Sequence, residues 1–218
     1  MSKLRPILPL ASLLICASFG HATTLTSYTD RTAFNAATGP VATETFNSFI
    51  SEISFHTSAL NVGPFTISMS AGASTDTGRN KIDIPPLEFS AFNVDGSNVA
   101  NVLLYSGDSL FLTFDSPLTA FGADFAALND DLIRTSIWVG METLTPSTTV
   151  GNVSRFFGFT SDTPFNMVEF RHAGNNDGFA IDNVSYGTSD RVPDSGSTLA
   201  LLGVVLGGGF FARALRRK

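Results

Sequence analysis

Along most of this chain apolar and polar side chains alternate in short runs, broken by Gly, Pro, Asn, Asp and Ser. That period of two is the mark of half-buried β-strands. The runs fall at 24–28, 41–49, 65–70, 99–105, 109–114, 118–125, 135–139, 155–159, 166–171 and 179–186. Phe65, Ile67 and Met69 share one side of their run, and Leu110, Leu112 and Phe114 one side of theirs. Only 30–39 reads as a helix, with Asp30 as its cap, Gly39 ending it, and Ala33, Phe34, Ala36 and Ala37 giving a modest apolar face. Residues 72–86 are polar and then Pro-rich, and read as a long loop. About ten strands at this spacing, with turns at Asp95-Gly96 and Ser106-Gly107, predict an all-β antiparallel β-sandwich with one short N-terminal helix.

Both ends depart from the alternation. At the front, Lys3 and Arg5 precede an apolar stretch over 7–19 and the sequence Gly20-His21-Ala22. This is the layout of a secretory signal peptide, 1–22, cut after Ala22. The single cysteine, Cys16, follows the bulky Ile15, so it lacks the small residue that a lipidation site wants in front of it. Residues 23–190 then form one domain of ordinary size. At the other end, 191–218 has three parts: Val192, Pro193, Asp194, Ser195 and Gly196, an apolar run over 199–212, and a basic end of Arg213, Arg216, Arg217 and Lys218. Pro193 and Gly196 favour an exposed, extended segment. As a transmembrane helix over 198–212, the run of about fourteen apolar residues would reach roughly 21 Å, short of the roughly 20 residues a comfortable span needs. It reads as a temporary anchor, with the basic end kept on the cytoplasmic side.

That order of motif, apolar run and basic end resembles the C-terminal sorting signals of the PEP-CTERM group, in the variant whose motif reads Val-Pro-Asp-Ser-Gly. Asp194 stands where the commoner motif has Glu. The resemblance implies processing by an exosortase, a membrane transpeptidase of Gram-negative bacteria that make exopolysaccharide. Val192 to Gly196 would be the recognised motif and the four basic residues its stop. An ordinary tail anchor would account for the apolar run and the charges, but not for the motif. A second resemblance lies in 114–125, 156–165 and 177–186, which look like a lectin-like jelly-roll domain common in such sorted proteins. It implies a jelly-roll-like sandwich whose last strand carries the step Asp182-Asn183-Val184.

Charge and composition narrow the partners. Of 13 Lys+Arg, seven lie in the terminal segments, and of 19 Asp+Glu only Asp194 does, so 23–190 carries a net charge of about −12. Nucleic acid and anionic membrane are poor partners for that surface, and a soluble, monomeric domain is expected. Removing 1–22 leaves no cysteine, so core burial or metal has to hold the domain. Seventeen of the 20 phenylalanines lie in 23–190, mostly at inward-looking positions. Each buried ring contributes roughly 1.5–3 kcal/mol, enough for a phenylalanine core without disulfides.

Catalytic patterns are sparse. No Gly-x-Ser-x-Gly, Gly-x-Gly-x-x-Gly, P-loop or His-Glu-x-x-His occurs. Two histidines, His56 and His172, are expected at the surface rather than in a Ser-His-Asp triad. Asp130-Asp131 reads as a solvated or cation-binding turn. The domain is therefore read as non-enzymatic, without a cofactor. Two binding sites are nevertheless expected as candidates. One is a structural calcium held by Asn175, Asp177 and Asp182, with Glu44 brought near as in lectin-like jelly rolls. The same turn is explained without metal by Asn and Gly serving positive φ, the reading we prefer. The other is a carbohydrate platform at Trp138, which faces outward if Ile137 and Val139 face the core. It belongs to the alternative function, a lectin-like module associated with exopolysaccharide.

Overall fold

The computed structural model describes residues 23–73, 78–88, 90–130, 135–149 and 153–189. In chain order these form β1 (Leu25–Tyr28), α1 (Arg31–Thr38), β2 (Ala42–Glu44), β3 (Ile53–Ser54), β4 (Leu60–Asn61), β5 (Phe65–Met69) and β6 (Lys81–Asp83). A 3₁₀ turn (Ser90–Phe92) follows, then β7 (Val99–Tyr105), β8 (Ser109–Ala126), β9 (Thr135–Val139), β10 (Glu142–Leu144), β11 (Arg155–His172) and β12 (Asn176–Gly187). The signal peptide, Asp131 and the whole of 191–218 lie outside the described residues. Every pairing is antiparallel, and the result is an all-β sandwich with one short α-helix.

The helix starts and stops as its sequence asks. Asp30 accepts from the Ala33 N–H at 2.7 Å, and Gly39 takes φ 71° while its N–H bonds Asn35 O. Its buried face is Phe34 and Thr38, whereas Ala33 and Ala36 are exposed, contrary to the expected apolar face. The aromatic ring selects the face: Phe34 sits 5.8 Å from Tyr28 and 5.2 Å from Phe156, centroid to centroid.

Strands β8 and β11 carry the architecture. Each was expected as two separate strands, at 109–114 with 118–125 and at 155–159 with 166–171; each is one continuous strand. Between them lie Pro117 and Pro164, both exposed, where the β8–β11 ladder is interrupted and only Phe165↔Leu118 links the two stretches. A strand passes through proline where no ladder N–H is required, and it bends there. Beyond the bend partners change. The first half-sheet runs β4-β5-β8-β11-β9-β10 and the second β1-β11-β8-β12-β7-β6-β3, with β2 beside the end of β12. Strands that switch sheets at a bend are a standard way to turn a sandwich corner.

The core lies between the half-sheets. Phe170 of the first meets Phe121, Phe125 and Phe179 of the second at 6.4, 5.8 and 6.0 Å between ring centroids. Among the described residues twelve phenylalanines are buried, which makes those rings core rather than a ligand platform. Other expectations need correction. The 41–49 strand stops at Glu44, whose carboxylate accepts from the Phe46 N–H at 2.7 Å as Phe46 turns the chain at φ 57°. The presumed 72–86 loop contains β6, paired with both β3 and β7.

The outer faces differ. On the second half-sheet α1 packs over β11, and a small cluster of Phe92, Val99, Ala126, Ala127 and Ala180 is covered by Leu87, Ala91 and Val94. Gly178 lies beneath it, and a Cβ there would stand 3.0 Å from the Phe92 ring, which would have to shift by a few tenths of an ångström. The first half-sheet turns Phe111, Trp138, Met167 and Arg171 outward, partly open to solvent.

Candidate functional site

In β12 the alternation that places Phe179 and Ile181 in the core points Asp182 to the covered outer face, opposite Asp124 of β8. Asn183 then adopts φ 50°, a left-handed conformation that its short polar side chain tolerates. The ladder slips between Asp182 and Ser185, a β-bulge that returns Val184 to the core. The Asp-Asn-Val step is thus an outward acid, a bulge and an inward anchor.

Four segments converge on that bulge. Arg31 of α1 reaches Asp124 at 2.9 Å, Asn183 O at 3.2 Å and Ser185 Oγ at 2.7 Å, with its guanidinium 4.5 Å above the Phe156 ring. Asn183 Nδ2 donates to Asp124 at 3.1 Å and Asp95 at 3.4 Å. Asp182, fully buried, accepts from the Asn183 N–H at 2.6 Å and Ser97 Oγ at 3.2 Å. Burial, with Asp95 and Asp124 adding like charge, pushes its carboxyl up to about 7, against the pull of those two donors. The Ser97 hydroxyl and N–H together with Asn183 hold Asp95 below the usual range. Chemically this is a clasp: it ties α1 and the 95–97 turn to the sheet.

The four residues expected around calcium are not gathered. Asp182 belongs to the clasp. Asp177, buried, accepts from the Asn129 N–H and from Thr135 Oγ1. Asn175 is exposed. Glu44 does lie beside the last strand, opposite Val184, but its carboxylate is turned to Phe46 N. Among the described residues no group of three or more His, Cys, Asp or Glu is arranged to hold a metal ion. The preferred reading, a turn built on positive φ, does not hold. Residues 176–178 are extended within β12, and the left-handed residue is Asn183.

Trp138 faces outward, since Ile137 and Val139 are core. Its ring is not a bare platform. Arg171 lies 4.0 Å from the ring centroid, and the indole N–H donates to Ser136 Oγ at 2.9 Å. Arg171 also forks onto Glu169 at 2.7 and 2.9 Å, and this pairing, aided by Ser109, holds the Glu169 carboxyl low.

Both histidines are buried, not at the surface as expected. Their partners stand 24 and 37 positions away in sequence, beyond the reach of local patterning. His172 Nδ1 lies 3.0 Å from Thr135 Oγ1, which gives its one proton to Asp177 at 2.5 Å. Nδ1 must therefore be the donor to that oxygen. With all three side chains buried, this histidine–hydroxyl–carboxylate chain braces β9, β11 and β12 and offers no approach to a substrate. Asp130, half of the expected acidic pair, is exposed.

Val192, Pro193, Asp194, Ser195, Gly196, Arg213, Arg216, Arg217 and Lys218 lie outside the described residues, as does the expected helix at 198–212. No helix among the described residues is long and apolar enough to cross a membrane. Comparison with known proteins bears on that tail. No curated protein matches the chain. Among solved structures, it is similar to the K2 cleaved adhesin domain of Lys-gingipain (Kgp), at 15% identity and a TM-score of 0.38, covering 67% of this chain and 99% of that one. The family model of the VPDSG-CTERM motif matches residues 191–218. The C-terminus is a sorting signal of the VPDSG-CTERM type, the mark of an exported protein.

Proposed function

We propose that this is a non-enzymatic protein of the Gram-negative cell envelope, whose β-sandwich is delivered to the surface or the extracellular polymer by an exosortase-type membrane transpeptidase acting on 191–218. The observation that carries the reading is the motif match over those residues. The polar networks of the sandwich agree with it: Asp182 at the centre of the clasp and the whole His172–Thr135–Asp177 chain are buried, with donors and acceptors turned to each other. In this reading the tail is substrate. Pro193 keeps Val192 extended, the form a peptide takes in an enzyme's cleft. The apolar run holds the motif at the membrane, and the basic end fixes its orientation.

Pro193→Ala in the native host should yield an uncleaved form retained in the membrane fraction. Mass spectrometry of the mature C-terminus, with fractionation, reads this directly. Maturation to the wild-type mass and location would remove the main support for sorting.

A further inference from the structure

Strand β4 pairs with β5 only through Leu60↔Ile67 and Asn61↔Thr66. The chain just before it diverges towards the second half-sheet, where the Phe55 N–H bonds Asn80 O at 2.9 Å and β3 joins β6. Between 55–59 and the end of β5 this divergence opens a cavity of about 370 Å³. That volume lies near the low end of the roughly 300–1,000 Å³ typical of small-molecule sites. Met69, Ala59 and Ala71 give it apolar wall, with the fully buried Phe55 behind, and Ser58, Ser68 and Ser70 give it hydroxyls. No Asp, Glu, Lys or Arg is among the described residues that line it.

His56, 9% exposed, also lines the cavity, and its proton can be placed. The Leu103 N–H donates to Asn80 Oδ1 at 2.8 Å, which fixes the orientation of the Asn80 amide. Its Nδ2 then gives one hydrogen to Leu103 O at 3.2 Å and the other to His56 Nδ1 at 3.0 Å. Nδ1 is thereby an acceptor, so in the neutral ring the proton sits on Nε2. Nε2 has no hydrogen-bond partner among the described residues. Asn80 is itself rigid, 2% exposed and held at φ 57°. The cavity thus presents an oriented ring donor beside hydroxyls that both donate and accept.

We propose that this cavity binds a neutral sugar unit, with His56 Nε2–H and the Ser68 hydroxyl bonding its oxygens and Met69 and Ala71 meeting its C–H face. A charged ligand is disfavoured, because no ion pair awaits it and the domain's net negative charge repels anions. The site is separate from Trp138, and the proposal is independent of the sorting signal.

The test is an NMR titration of the full chain in a sugar-free detergent, following the His56 imidazole nitrogens and the Ser68 and Ser70 amides. D-glucose, D-galactose and N-acetylglucosamine are the neutral probes; acetate and methylammonium are the charged ones. The free protein should show the proton on Nε2, and at least one sugar should shift these resonances saturably. Ser68→Val, a substitution suited to a strand, should weaken that binding about tenfold, as loss of one hydrogen bond does, with melting temperature unchanged. His56→Phe should abolish it; if that variant fails to fold, Ser68→Val alone decides. The proposal is overturned if no sugar saturates, if a charged probe binds more tightly, or if Ser68→Val binds as wild type does.

Discussion

The two half-sheets share strands and a core but treat their outer faces in opposite ways. The second is roofed by α1 and the 87–97 segment, and beneath that roof lies a fully buried aspartate among two further carboxylates and one arginine. The first leaves its cation open: Arg171, with a side chain 45% exposed, lies on Trp138 and forks onto Glu169, whose side chain is only 10% exposed. The same residue types therefore do different work. Under the roof each polar group is held by partners from several segments, and a change there is felt by the fold. On the open face water already reaches Arg171 and can take its place, so loss of that side chain is cheaper.

The largest expected effect comes from lifting the roof. Phe34→Ala removes the ring that seats α1 between Tyr28 and Phe156 and should lower stability by about 3–5 kcal/mol. Urea denaturation reads this as a fall in midpoint at constant slope. A loss below about 1 kcal/mol would show that the helix is not a structural cover.

Next in size is the charge beneath the roof. The folded state holds the Asp182 proton more tightly than the unfolded chain, with a carboxyl at about 7 against an ordinary 3.8. Its contribution is complete below about pH 4 and is lost as pH rises through about 7. The interval corresponds to an upper bound of about 4 kcal/mol. Asp182→Asn keeps the shape without the charge. It should raise the melting temperature at pH 8.5 and leave it unchanged at pH 4. Equal shifts at both pH values would mean that charge is not the cost carried there.

The smallest effect should come from the open face. Arg171→Ala loses one cation–π contact and an ion pair open on its arginine side, lets water in to Glu169, and should reduce stability by about 1 kcal/mol. Tryptophan emission, from the single Trp of the chain, should shift to the red as the indole meets water. A loss comparable with that of Phe34→Ala would erase the distinction between the faces.

Much of the sandwich could be read from alternation. The spans of β7 and β9 match their runs residue for residue, and the caps of α1 are as expected. Continuity of β8 and β11 was hidden, because Pro117 and Pro164 read as breaks when each marks a bend with no ladder bond to lose. Strands β3, β4 and β10, two or three residues long, leave no period to detect. The clasp left one trace: the polar step Asp182-Asn183 inside the otherwise apolar run Phe179-Ala-Ile-Asp-Asn-Val184. Its partners, Arg31, Asp95, Ser97 and Asp124, come from other segments and were invisible to local patterning. The burial of His56 and His172 was missed for the same reason.

The position of β12 has a mechanical consequence. It is the last described strand and lies inside its half-sheet, paired with β8 along one edge and with β7 and then β2 along the other. A pull applied beyond Gly187 acts along this strand and loads both ladders in shear at once, instead of opening them bond by bond. Resistance under such a pull is set by the rate of unfolding rather than by equilibrium stability. A chain held at its C-terminal end would then yield only when its central strand slid as a whole.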